Sequence, residues 1–252
     1  MFRGDDALAQ GAIRPESTVR AEDLGRSFES NPLAVAANES KLMIGLSGIE
    51  HALKRAFDLI SVVVILVLFG WLMVGIACAI RLGGGSQIIY GHTRVGRHGR
   101  LFKCYKFRSM VPNSSDVLRD LLERDPEARI EWERDFKLKN DPRITRIGNF
   151  IRKTSLDELP QLWNVLVGEM SIVGPRPVVQ DEFDFYYGDA KQHYLAVSPG
   201  LTGLWQVSGR NDVGYDERVR LDVSYVDNWN VFTDFTIVMR TVKVMLFRHG
   251  AY

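Results

Sequence analysis

Asp157 and Glu158 stand side by side in RKTSLDELPQLWNVLVGEMSIVGPRP (residues 152–177), with Arg152 and Lys153 before them and Arg176 after. Adjacent carboxylates among cations admit two chemistries. One is structural. Ser155-Leu156-Asp157-Glu158 fits the capping box, in which a serine hydroxyl accepts from the amide three residues on and that residue's carboxylate reaches back. Acidic residues also suit a first helical turn because the helix dipole favours them there. The other is phosphoryl transfer: two carboxylates, their pKa values lowered by a helix N-terminus and by arginines, hold Mg²⁺ through a diphosphate, and a carboxylate can attack phosphorus to form an acyl phosphate. Three features favour the second. Pro160 falls four residues into the expected helix, where it deletes a backbone bond. Cations cluster with no core of their own to support. Gly168, Gly174, Pro175 and Pro177 make a tight turn that fixes the direction of Arg176, and a rigid guanidinium beside a helix N-terminus suits a diphosphate.

The elements that must position these groups begin with Leu59–Ile80, 22 residues without a formal charge. At 1.5 Å per residue the run extends about 33 Å, enough for a bilayer core of roughly 30 Å. Lys54 and Arg55 precede it; Arg81, Arg94, Arg97 and Arg100 follow. Cationic flanks on both sides favour a re-entrant segment with both ends cytoplasmic over a helix that spans, though the run contains no proline to bend it and a spanning helix stays open. Asp58 sits at its edge and needs Arg55 or backbone donors to be tolerated. A break at Gly83-Gly84-Gly85-Ser86 leads to a β-ribbon whose second strand, Leu101–Arg108, carries Phe102, Cys104, Lys106 and Arg108 on one face. That face is either a solvated basic strand or a phosphate or headgroup site. Ser115–Lys139 reads as a charged helical arm divided at Asp125-Pro126, and Ile144–Lys153 as a short helix delivering Arg152. Phe232, Phe235, Met239, Val242 and Leu246 recur at helical spacing in Trp229–Arg248, a stripe that fits a membrane-surface helix or a core helix.

The whole chain sets the frame. Its 252 residues carry a net charge of +1, which does not indicate nucleic acid as a partner. Cys78 and Cys104 are too few for a disulfide framework or a zinc site and fit a reducing compartment. The first residues lack the apolar stretch of a secretory signal. Residues 1–50, where eight carboxylates outnumber five cations, read as a largely disordered extension. The expected fold is α+β and mainly helical. A membrane helix over 51–82 is followed by a compact cytosolic catalytic part over 83–252, with a small β-ribbon and membrane-surface helices.

KRAFD (54–58), YKFRSM (105–110), SLDELPQLWNVLVGEMSIVGPRP (155–177) and PGLTGLWQVSGRN (199–211) occur in this order. Together they resemble the bacterial sugar transferase family, the monotopic phosphoglycosyl transferases, and most closely the exopolysaccharide-initiating members of the small form, which lack a multi-span N-terminal region. The resemblance covers about Leu53 to Leu246. It implies transfer of a hexose 1-phosphate, galactose or glucose, from a UDP-sugar to undecaprenyl phosphate with release of UMP, at the cytoplasmic face of the inner membrane. Asp157 matches the family's nucleophile and Glu158 its partner at Mg²⁺, with Mn²⁺ as a substitute. Lys106, Arg152 and Arg176 match basic positions around the phosphate. Lys54, Arg55, Asp58, Gly70 and Trp71 belong to the membrane anchor. Relatives usually break the membrane helix with proline; here Gly70-Trp71 stands in its place. Arg210 and Asn211 either shape a turn of the core or hold the nucleotide end. The rival function is a non-catalytic membrane adaptor of the same fold that recruits later glycosyltransferases. Neither reading specifies an oligomeric state.

Overall fold

The computed structural model describes residues 48–84, 87–135, 138–208 and 214–247. Arg210, Asn211, most of the N-terminal extension and the side chain of Leu246 lie outside the described residues.

Helix α1, Gly48–Leu82, contains the apolar run and is assigned helical without interruption through Gly70 and Trp71. Its middle is bare: Val63, Val64, Val67, Leu68, Phe69, Trp71 and Val74 are all exposed. Its two ends are not. Val62 near the start is fully buried, and Ile76 and Ile80 near the end join a cluster with Phe107 and Ile151, against which Leu156 and Leu159 pack.

The ribbon forms as the alternation predicts. β1, Ile89–Val95, pairs antiparallel with β2, Leu101–Phe107. The turn between them places His98 at φ 57° and Gly99 at φ 75°, and the glycine takes the left-handed conformation without a Cβ penalty. In β2, Phe102 and Cys104 are buried while Lys106 on the same face is half-buried. The basic strand therefore has an apolar root and a charged tip.

The arm divides where expected, into α2, Ser114–Arg124, and α3, Pro126–Asp135. Pro126 sits at the first helical position, and Asp125 accepts from the amides of Glu127 and Ala128 at 2.9 and 3.1 Å, an N-terminal cap. Helix α4, Arg146–Lys153, is capped by Thr145, whose hydroxyl accepts from the Gly148 amide at 2.9 Å.

A single 3₁₀ turn, Leu156–Glu158, follows, and only then α5, Gln161–Val167. Pro160 is therefore not inside the helix, as its spacing suggested, but is its N-terminal cap residue at φ −61°. There its missing amide and fixed φ cost nothing. Asn164 of α5 is fully buried. It accepts from the Tyr105 amide at 3.1 Å and donates to the Lys103 carbonyl at 2.8 Å. One amide side chain thus pairs with the free edge of β2 and holds Lys106 against the turn that carries the carboxylates.

Two short parallel strands, β3 (Ser171–Val173) and β4 (Gly200–Thr202), lie beside it. The chains approach so closely here that a Cβ on Gly200 would stand 2.1 Å from the Gly174 nitrogen. The Gly174 amide donates to Thr202 and the Gly200 amide to the Pro175 carbonyl, at 2.9 and 2.7 Å. This clasp directs Arg176. Helices α6 (Gln180–Tyr186), α7 (Lys191–Ala196) and α8 (Leu204–Val207) precede α9, Tyr215–Asp227. A core of Val95, Val178, Phe183, Tyr187, Tyr194 and Val219 joins several of them to the ribbon.

The last helix, α10, is Val231–Phe247. Its predicted stripe of Phe232, Phe235, Met239 and Val242 faces outward, while Asp234 and Ile237 face the core. The helix is therefore core on one side and exposed apolar surface on the other.

Candidate active site

The carboxylate pair is delivered by an unusual backbone. Ser155 adopts the left-handed conformation, φ 56° and ψ 16°, and its side chain caps nothing. The capping box is absent. A non-glycine residue there is uncommon and costs roughly 1 kcal/mol; the conformation ends the path of α4 and turns Asp157 and Glu158 toward β2. Freed from capping, Glu158 accepts from Lys106 Nζ at 2.6 Å, both side chains about a third exposed (32% and 34%).

The two carboxyls diverge electrostatically. Removal from water alone would raise Glu158, but the Lys106 ammonium in contact with it, helped by Arg176 and Arg94, outweighs that and holds it below the usual carboxylate range. Asp157 makes no ion pair among the described residues. Removal from water pushes its carboxyl up to about 6, and Glu158 adds to the rise, against the opposing charges of Lys106 and Arg152. The expectation that both values fall holds for Glu158 and fails for Asp157. The nearest ammonium is already bonded to Glu158, so desolvation wins at Asp157.

Around the pair the cations assemble as the sequence suggested, with additions. Lys106 arrives from β2, and Arg152, at the end of α4, is held by a 2.8 Å bond from its Nε to the Ser109 hydroxyl. Arg176 is exposed and lies over the Trp205 ring, 5.7 Å from its centroid; Arg218 lies over the same ring at 4.7 Å. Arg94, which the sequence marked only as a cationic flank, is 3.6 Å from Glu182 and contributes to the field on Glu158. Alternation along β1 could have found Arg94, since it stands opposite Phe102 in the ribbon. Nothing local marks Arg218 or Ser109.

Among the described residues no group of three or more His, Cys, Asp or Glu side chains could enclose a metal ion. Asp157 and Glu158 supply two carboxylates. That donor set fits Mg²⁺, which binds through one or two carboxylates and leaves the remaining positions to substrate phosphates and water.

The charged residues before the apolar run do not face outward. Lys54 Nζ donates to the Val173 carbonyl at 2.8 Å and pairs with Asp234 at 2.7 Å. Arg55 donates to the Val165 and Leu166 carbonyls, both at 2.6 Å, satisfying the open end of α5. Asp58 accepts from the Ser171 hydroxyl at 2.8 Å and the Ile172 amide at 2.9 Å. Its compensation is thus a backbone donor, a hydroxyl and Lys54, with Arg55 turned elsewhere. These three fasten the start of α1 to the domain. Of the remaining anchor positions, Gly70 has no atom near its Cβ direction, and Trp71 is exposed with its indole donating to the Leu68 carbonyl at 2.8 Å.

A cluster of cations around two carboxylates, on a domain that carries a bare apolar helix long enough to enter a membrane, suits phosphate-bearing substrates. The chain belongs to the bacterial sugar transferases, the family matched by residues 49–248. It is 60% identical over 200 residues to a protein of Salmonella typhimurium called undecaprenyl-phosphate galactose phosphotransferase, covering 79% of this chain and 42% of that one. It is 48% identical to the exopolysaccharide production protein ExoY of Rhizobium meliloti, over 79% of this chain and 88% of that one. Identity is 37% to the UDP-glucose:undecaprenyl-phosphate glucose-1-phosphate transferase of Escherichia coli, over 82% and 43%. The chain thus spans less than half the length of the first and third of these relatives.

Proposed function

We propose that the protein transfers a hexose 1-phosphate, galactose or glucose, from a UDP-sugar to undecaprenyl phosphate, the first membrane step of exopolysaccharide synthesis. The observation that carries this is geometric: among the described residues Asp157 makes no ion pair, while Glu158 beside it accepts from Lys106 Nζ at 2.6 Å. A carboxylate with no cation bonded to it keeps its lone pairs for nucleophilic attack on phosphorus. An adaptor has no use for such a division of roles.

In the first step an Asp157 oxygen attacks the phosphorus that bears the sugar. The bond from that phosphorus to the bridging oxygen breaks, and UMP leaves with its electron pair. In the second, an oxygen of the lipid phosphate attacks the acyl phosphate and the Asp157 carboxylate is released. Arg152 and Arg176, with Arg94 behind them, balance the charge of the diphosphate in the cleft. Asp157 and Glu158 would hold Mg²⁺ (or Mn²⁺), which neutralises phosphate charge when bound.

The cytoplasmic face is proposed from substrate supply, since UDP-sugars are cytoplasmic. The re-entrant path is supported by the packing of both ends of α1. Lys54–Val62 and Ile76–Ile80 rest on one domain, which a helix crossing the bilayer would separate by roughly 30 Å. Gly70 and the Trp71–Leu68 contact mark where backbone carbonyls would be exposed in a bend.

The test is UMP release from UDP-galactose and UDP-glucose in the presence of undecaprenyl phosphate, lost in EDTA and restored by Mg²⁺ or Mn²⁺. No release with either sugar refutes the transferase; full activity in chelator refutes the metal. For topology, single cysteines at Ile49 and Leu82 in a Cys78→Ser, Cys104→Ser background should both resist an impermeant thiol reagent in intact cells. Reaction of only one indicates a spanning helix.

A further inference from the structure

A cavity of 310 Å³ opens beneath the last turn of α1, away from the carboxylate pair. Ala79, Ile80, Val111 and Ile147 give it apolar walls, and Arg108 and Arg146 stand among them. Among the described residues neither guanidinium meets a carboxylate. Arg108 is half-buried and Arg146 exposed, so two guanidiniums without an acidic partner stand at the rim of an apolar cavity, an arrangement that favours an anion there. The walls continue the apolar face of α1, so the occupant needs a hydrocarbon part as well. A free phosphate would leave the walls unfilled, and a neutral lipid would leave both guanidiniums unmet. An amphiphile with a phosphate at its end satisfies both halves.

The cavity adjoins the reaction centre through a single residue. Arg108 and Met110 line it, and Ser109 between them accepts from Arg152 Nε at 2.8 Å. Ser109 cannot shift freely. Its carbonyl accepts from the Thr145 amide at 3.1 Å, and a Cβ on Gly148 would fall 1.9 Å from that same oxygen. The segment 108–110 therefore holds the cavity and Arg152 in fixed positions one residue apart, with Arg108 and Met110 on the cavity and Ser109 on Arg152.

We propose that this cavity is the acceptor subsite. It takes a polyprenyl phosphate with its first isoprenoid units against Ala79, Ile80, Val111 and Ile147 and its phosphate between Arg108 and Arg146, from which it passes Arg152 to reach Asp157. The volume lies at the low end of small-molecule sites, roughly 300–1,000 Å³, so the cavity holds the head of the lipid and leaves the rest of the chain to the membrane along α1. This assignment rests on the transferase reading.

The experiment uses the full chain in phosphatidylcholine nanodiscs and separates the half-reactions. Val111→Trp fills the cavity and keeps its charge; Arg108→Gln with Arg146→Gln keeps its shape. Each should raise KM for undecaprenyl phosphate about tenfold or more. The UMP burst seen without acceptor, and KM for the UDP-sugar, should stay within about twofold. An unmoved acceptor KM, or a burst that falls in parallel, overturns the assignment. Farnesyl phosphate should compete with the acceptor while inorganic phosphate and phosphatidylglycerol do not; equal competition by phosphatidylglycerol would make this a general anionic-lipid site and also overturn it. Absence of a burst in the wild-type protein would instead be a failure of the transferase reading. In that case a photoreactive farnesyl phosphate decides: crosslinks to residues 79–84, 108–112 or 145–147 uphold the cavity, and crosslinks elsewhere remove it.

Discussion

Two of the lysine–carboxylate pairs among the described residues, Lys54–Asp234 and Lys106–Glu158, are built to opposite ends. At the base of α1, Lys54 meets Asp234, which has no exposed surface; the Tyr225 hydroxyl lies 2.7 Å from its Oδ1, and the Trp229 indole donates to its Oδ2 at 3.2 Å. Asp58 completes that network with a hydroxyl and an amide. In the cleft, Lys106 meets Glu158 with both side chains about a third exposed, and Asp157 beside them is left without an ion pair. The first centre is dry, with a donor on each Asp234 oxygen. The second is partly exposed at Lys106 and Glu158 and leaves Asp157 without an ion pair among the described residues. What separates the two centres is the number of donors on each carboxylate and the exposure of the ion pair.

The sharpest way to break the comparison is to remove charge from the reactive side. Asp157→Asn should lower turnover roughly 10³-fold or more while the protein stays folded and in the membrane, as measured by UMP release and thermal melting. An activity loss accompanied by unfolding would erase the distinction. The reverse is expected at the buried centre. Asp234→Ala removes the close partner of Lys54, leaving Asp58 at 3.9 Å, and should cost about 3–5 kcal/mol in chemical denaturation. The fraction that still folds should keep its activity per molecule. Replacing both partners, Lys54→Met with Asp234→Leu, should recover much of that loss.

A third carboxylate sharpens the rule with a smaller effect. Asp222 is buried, bonded to the Tyr187 hydroxyl at 2.9 Å, with its other oxygen unpartnered. Burial raises it to about 7, against the Tyr187 bond and the charge of Arg176. Its folded value exceeds its unfolded one, so the folded state binds the proton more tightly, and stability falls as pH rises from about 4 to about 7. Asp222→Asn should flatten that slope and raise stability at pH 8. An unchanged slope in the variant would assign the pH dependence to another group.

Much of this was legible locally. The apolar run, the ribbon, the division of the arm at Pro126 and the outward stripe of α10 follow from composition and periodicity, and both are properties of neighbouring residues. The Asp157–Glu158 motif was visible for the same reason. Its local interpretation was not reliable: the capping pattern at Ser155 yields to a left-handed backbone, and Pro160 begins a helix instead of interrupting one. Lys54 and Asp58 looked like the flank of a membrane segment because their partners are 180 and 113 residues away in sequence. Likewise Lys106 lies 52 residues from the Glu158 it neutralises. The sequence by itself determined the apolar helix, the order of the elements and the adjacent carboxylates of the candidate site. Only the tertiary structure decided which carboxylate is quenched and which is left basic. Desolvation and ion pairing act through space, and the folded chain alone sets those distances.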